Sequence, residues 1–157
     1  MIDVVDSKTR SRIMAGIGGS NTRPELRLRK ALHALGYRYR LHVRNLAGKP
    51  DIVLARHRAA IFVHGCFWHR HEGCRYTTSP ATRPDFWQQK FQSNVERDKR
   101  NVASLRDIGW RVAVVWECSL RTSSDLAAAV EDVSNWIEGG GEFLEVGQPV
   151  PPKRGSA

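Results

Sequence analysis

The chain has 157 residues, room for one domain with its own core and too little for two. A hydrophobic content of 41% excludes a disordered chain, and no apolar run approaches the ~18 residues of a membrane span. The net charge of +9, with five Trp, makes nucleic acid the first partner to consider, because neutralising phosphates releases counterions; a merely basic surface is the plainer alternative.

Residues 1–6 lack the basic-then-apolar pattern of a signal peptide, so the expected compartment is the cytoplasm. Residues 1–20 read as a basic arm with one short helix around 8–15, ended by Gly16-Ile17-Gly18-Gly19. From 22 to 35 the pattern is helical, with Leu28, Ala31, Leu32 and Leu35 inward, Thr22 and Glu25 as a capping box and Gly36 past the end. Tyr37, Tyr39, Leu41 and Val43 then alternate with Arg38, Arg40, His42 and Arg44, which predicts a strand with one apolar and one basic face. Residues 51–54 and 60–63 are short apolar strands joined by a hairpin turn centred on His57. A Cys/His-rich loop follows from His64 to Cys74. Residues 82–108 form a long helix with Trp87, Phe91, Val95, Val102 and Leu105 on one stripe. A strand at 110–116 and a helix at 124–137 follow, the latter with Leu126, Val130, Val133 and Ile137 inward. Residues 139–157, rich in Gly and Pro, read as a flexible tail behind a body spanning 21–138. A strand, long helix and strand make a crossover unit, so the strands ending near His64 and Glu117 are expected to be parallel, and the earlier ones antiparallel. The fold class is α/β, a three-layer sandwich on a mixed sheet.

Three Cys would leave one over from any disulfide, so metal binding or simple burial suits them better. Between His64 and Cys74 the chain places Cys66, His69, His71 and Cys74. Parallel strands joined by a crossover end at one edge of the sheet, which brings Cys118 to this loop. Cys66, His71, Cys74 and Cys118 then close a Cys₃His site for Zn²⁺, structural because four protein ligands leave no open position. Choosing His71 over His69 follows from assigning His69 to chemistry. The plainer reading is buried thiols and surface imidazoles.

In Gly48-Lys49-Pro50-Asp51, a carboxylate at the head of a sheet strand suits a hard cation such as Mg²⁺; a turn after Pro50 is its alternative. The turn centred on His57 sets Asp51 opposite Val63 and beside His64. Asp51, the Val63 backbone, His64 and His69 then converge at one edge, a set able to hydrolyse a phosphodiester. His64 could equally be a satisfied core histidine, and Glu25 only the partner of Thr22. Phe67 and Trp68 in the loop are expected to be exposed and able to wedge between base pairs, with Trp87 as a third. Core packing is the rival reading, and strongest for Trp87. Met14 could wedge from the opposite groove or be filler. Arg38, Arg40 and Arg44 suit phosphates or water alike. Arg97, Lys99 and Arg100 are expected to pair with Glu96 and Asp98.

Gly48-Lys49-Pro50-Asp51, the run from Phe62 to His69, Asn94-Val95-Glu96-Arg97-Asp98 and the run from Trp110 to Cys118 together resemble the very-short-patch repair endonucleases, over about residues 6–120. The resemblance implies a restriction-endonuclease-like fold that nicks double-stranded DNA 5′ to the thymine of a T:G mismatch, the lesion left when 5-methylcytosine deaminates. It implies Asp51 and the Val63 carbonyl as Mg²⁺ ligands, His69 activating water, His64 assisting at the phosphate and Glu25 orienting the centre. It implies zinc on Cys66, His71, Cys74 and Cys118, and an intercalating aromatic trio. The acid-x-Lys pair usual in the wider superfamily is absent from Phe62-Val63-His64, which leaves the base role to imidazoles. A monomer is expected, because a mismatch has no two-fold symmetry to match; mismatch-repair protein partners are compatible with the role. A zinc-stabilised DNA-binding module without catalysis and a restriction-type nuclease on the same fold are the competing functions.

Overall fold

The computed structural model describes residues 22–147. The expected arm of residues 1–20, with Met14, lies outside them, as does the end of the expected tail.

A five-stranded sheet in sequential order β1-β2-β3-β4-β5 forms the middle layer. The elements are α1 (Arg23–Ala34), β1 (Arg40–Leu41), β2 (Ile52–Leu54), β3 (Ala59–His64), α2 (Pro84–Asp107), β4 (Arg111–Trp116), α3 (Ser123–Gly139) and β5 (Phe143–Val146). The first three strands pair antiparallel, β3 and β4 parallel across α2, and β4 and β5 parallel across α3. The crossover expectation therefore holds.

Alternation along the strands decides which helix covers which face. Ile61, Ala113 and Val115 join Leu28 and Leu32 of α1 and Val133, Trp136 and Ile137 of α3 in one core. Ala60, Phe62 and Val112 point the other way and meet Leu105 and Val102 of α2. A sheet buried between α1 and α3 on one side and α2 on the other is the expected three-layer sandwich. None of the helices in the described region is long and apolar enough to cross a membrane.

Four expectations need correction. The alternating strand from Tyr37 to Val43 shrinks to Arg40–Leu41, both exposed. Tyr37 and Tyr39 still pack on the core, but their hydroxyls are tied to Ser134 and to the Arg29 carbonyl, which holds that stretch out of the ladder. Leu35 is 57% exposed, because α1 ends at Ala34 and the helical period no longer aims the following residue inward. The β2–β3 turn is a 3-10 turn at Ala55–His57 closed by Arg58 in the left-handed region (φ 50°), so Leu54 pairs with Ala59. Its centre therefore falls before His57, and the register moves by one residue. Finally, the expected tail contributes β5, whose Val146 is buried on the main core. Arg111 fixes the approach to that strand: its guanidinium donates to the carbonyls of Trp136, Ile137 and Gly141 at the end of α3 and lies 4.5 Å over the Trp136 ring.

Candidate active site and metal centre

The crossover brings the ends of β3 and β4 to one edge, and two polar clusters form there. The first is fully buried. Cys66, His71 and Cys74 come from the loop after β3, and Cys118 from a 3-10 turn after β4 (Glu117–Leu120). Their ligand atoms all lie within 4.8 Å of one another. His71 Nδ1 stands 3.6 Å from Cys66 Sγ and 3.5 Å from Cys118 Sγ. A tetrahedral zinc with ordinary bond lengths sets N and S about 3.5 Å apart, so the spacing fits such an ion. The imidazole is turned for it: Nε2–H donates to the Gly147 carbonyl at 3.1 Å, which leaves the Nδ1 lone pair facing the thiols. Burial pushes the Cys66 thiol up and the Cys118 thiol to about 11. These buried sulfurs become good metal ligands only once an ion takes the place of their protons.

Gly147 couples this cluster to β5. Its φ is +137°, and a Cβ there would stand 2.7 Å from Trp116 Cβ. Gly147→Ala is expected to destabilise the fold by about 1–3 kcal/mol through overpacking, read as a lower midpoint in urea with an unchanged slope. An unchanged midpoint would mean that the end of β5 is not held against Trp116.

The second cluster also meets the Trp116 ring, which stacks on His71 at 4.3 Å and makes an edge-to-face contact with His64 at 5.3 Å. His64, the last residue of β3, stacks on His69 with centroids 3.9 Å apart and planes 6° apart. His69 Nδ1 is 2.6 Å from Asp98 Oδ2, on α2. A carboxylate accepts, so Nδ1 carries a proton, and in the neutral imidazole Nε2 is the nitrogen that keeps its lone pair. Burial first, and His69 second, hold His64 well below the usual imidazole range, at about 3, so it is neutral. Asp98 thus turns to His69, where pairing with its basic helix neighbours was expected.

Asp51 precedes β2, and its Oδ2 accepts from the Val63 N–H at 2.7 Å. Despite the corrected register, the two residues meet, because the carboxylate reaches past the end of the ladder. The N–H and C=O of a strand residue face the same lateral side, so the Val63 carbonyl also turns toward Asp51. Burial pushes the Asp51 carboxyl up to about 6, against the lowering effect of that hydrogen bond. Glu25 lies at the start of α1. Thr22 Oγ1 accepts from the Glu25 N–H, the expected cap, but the buried Glu25 side chain runs to His42 Nε2 at 2.5 Å. Glu25, His42 and Asp51 offer ligand atoms within 4.8 Å of one another. His42 was expected on a basic strand face. Its backbone turns into the left-handed region (φ 50°) just after β1, which breaks the alternation.

Phe67, Trp68 and Trp87 form one aromatic group, with centroids 5.0–6.1 Å apart. They are half-buried, where Phe67 and Trp68 were expected exposed, because Phe91 lies beneath Phe67 and Trp87 at 5.1 and 5.5 Å. The Arg70 guanidinium covers Phe91 from 4.0 Å and donates to the Thr78 carbonyl at 2.7 Å, bracing the loop. Phe86, beside Trp87, is 52% exposed and was not singled out by its sequence pattern.

Comparison with known proteins gives a consistent result. The model of the DNA mismatch endonuclease Vsr family matches residues 2–75. The chain is 46% identical over 138 residues to the type II nicking enzyme V.XorIIP of Xanthomonas oryzae pv. oryzae, covering 88% of this chain and 98% of that one. It is 43% identical over 148 residues to the DNA mismatch endonuclease Vsr of Escherichia coli, covering 93% and 94%. Among solved structures, the catalytic domain of the homing endonuclease I-Bth0305I matches 75% of this chain and 97% of its own, with a TM-score of 0.51 at 21% identity, a likeness of fold.

Proposed function

The chain belongs to the Vsr DNA mismatch endonuclease family, and from that premise we propose that it nicks one strand of duplex DNA 5′ to the thymine of a T:G mismatch by Mg²⁺-assisted hydrolysis, repairing deaminated 5-methylcytosine. The observation that carries this reading is the Asp98–His69 pair stacked on neutral His64, beside the carboxylates of Glu25 and Asp51.

The geometry divides the work. His69 Nε2, free because Asp98 holds Nδ1–H, takes the proton of the attacking water. His64, neutral and packed flat on His69, keeps that ring in place and offers a donor to the phosphate. Asp51, the Val63 carbonyl and Glu25 make an oxygen-rich corner fit for a hard cation, and two neighbouring carboxylates are better tolerated with a positive charge between them. A divalent ion held there supplies neutralisation of the charge that builds on the scissile phosphate. Phe67, Trp68 and Trp87 present flat faces from one braced loop and α2, suited to entering a base step that a mispair has already weakened. Zinc on Cys66, His71, Cys74 and Cys118 holds that loop against β4. The protein acts as a monomer, matching an asymmetric lesion.

The test is cleavage of a labelled duplex carrying one T:G mismatch, in several flanking contexts with Mg²⁺, beside the matched duplex. One nick on the 5′ side of the mismatched T, abolished in Asp51→Asn, is the expected result. Binding without cutting in every context would favour a DNA-binding module. Equal cutting of the matched duplex would favour a restriction-type nuclease.

A further inference from the structure

His42 has no part in the mechanism above, yet it faces the carboxylate corner. Its Nε2 is 2.5 Å from Glu25 Oε1, and the ligand atoms of Glu25, His42 and Asp51 all lie within 4.8 Å of one another. The Glu25 side chain is 2% exposed and that of His42 29%, so the imidazole lies between the buried carboxylate and solvent. The backbone also joins the groups, since the His42 N–H donates to the Asp51 carbonyl at 3.3 Å. An octahedral ion with bonds of about 2.1 Å sets adjacent donors about 3 Å apart and opposite donors about 4.2 Å apart. Groups held within 4.8 Å of one another reach that pattern by small side-chain adjustments, among them an opening of the 2.5 Å His42–Glu25 contact.

We propose that His42 is a nitrogen donor to the cation of the Asp51–Glu25 centre and that it biases this centre toward first-row transition ions such as Mn²⁺ over Mg²⁺. The inference rests on the reading of that corner as the cation centre. The chemistry is that of the donor set. Carboxylate, carbonyl and water oxygens suit Mg²⁺, whereas an imidazole adds a borderline ligand that binds transition ions better. Arg29, 3.8 Å from Glu25 at the next helical turn, offers no lone pair.

The test uses the zinc-loaded full chain, free and bound to the nicked mismatched duplex, titrated separately with Mn²⁺ and Mg²⁺ by calorimetry. Electron spin-echo modulation on bound Mn²⁺ reports directly on a coordinated nitrogen. Wild type is expected to show that nitrogen coupling and to bind Mn²⁺ more tightly than Mg²⁺. In His42→Gln the coupling disappears and Mn²⁺ affinity falls by at least about tenfold, the lower end of what a lost supporting contact costs a metal site. Mg²⁺ affinity changes less, and the melting temperature confirms that the variant is folded. Absent coupling in wild type, or equal losses for both ions in His42→Gln, would overturn the role of His42 while leaving the centre itself standing. The centre fails instead if wild type binds neither ion, or if Asp51→Asn leaves the binding of both unchanged.

Discussion

Cys118→Ser is expected to lower stability by on the order of 4 kcal/mol or more, in the range of losses that follow removal of a structural metal. For a chain of this size that is a fall in Tm of about 10 °C. The magnitude follows from what the residue joins. Cys118 lies just after β4, whereas the other three candidate ligands follow β3, so of the four it is the one that ties the loop to the neighbouring strand through the ion. Beneath that loop the core is small: Cys66, Cys74, Val114, Trp116 and Cys118, with Tyr76 and Val102 at its margin. Without the fourth ligand the loop keeps few apolar contacts and three buried polar groups. One zinc per wild-type chain, measured by elemental analysis, and loss of both zinc and Tm in the variant would establish the assignment. A variant that loses zinc but melts with wild type would show that the ion does not support the fold. A chelator that strips zinc from the wild type is expected to reproduce the same fall.

Much of this architecture is legible in the sequence, for identifiable reasons. The long amphipathic stretch between two apolar runs enforces a parallel crossover, and that alone brings Cys118 to Cys66. Individual cross-chain partners are a different matter. His42 meets Glu25 across 17 residues and Asp98 meets His69 across 29, through backbone turns and helix phases that no local pattern encodes. The alternation of Tyr37 to Arg44 is real, but tyrosine hydroxyls seeking hydrogen bonds override it. β5 is hidden because a short run after three glycines carries little periodicity, and its pairing depends on Arg111 and α3. The one-residue shift in register reflects the left-handed Arg58, a conformation that its residue type does not announce.

Trp116 joins the buried Cys/His cluster to the histidine pair at the end of β3. Its ring stacks on His71 and makes an edge-to-face contact with His64, and Nε1–H is anchored to Glu145 of β5 at 2.9 Å. Glu117, next in sequence, accepts from the Cys66 N–H at 3.0 Å. The end of β4 therefore touches both imidazole sets through Trp116, and the Cys66 loop through Glu117.

His69→Ala is expected to lower the single-turnover nicking rate by ~10²–10⁴-fold, the usual contribution of a positioned general base. Tm and affinity for the mismatched duplex are expected to stay near wild type, because His69 is partly exposed and belongs to no core cluster. Asp98→Asn separates orientation from presence. Asparagine can donate to Nδ1 as readily as accept from it, which stabilises the tautomer with the proton on Nε2, the nitrogen required to be free. Disturbing the tautomer in this way costs the serine-protease triad about 10⁴ in kcat; here, with His64 still stacked beneath the ring, a loss on the order of 10² is expected. The double variant is expected to be no slower than His69→Ala alone, since Asp98 acts only through His69. Losses that multiply would instead place Asp98 in contact with substrate, and a His69→Ala protein that nicks at the wild-type rate would transfer the base role to another group, with His64 the nearest imidazole.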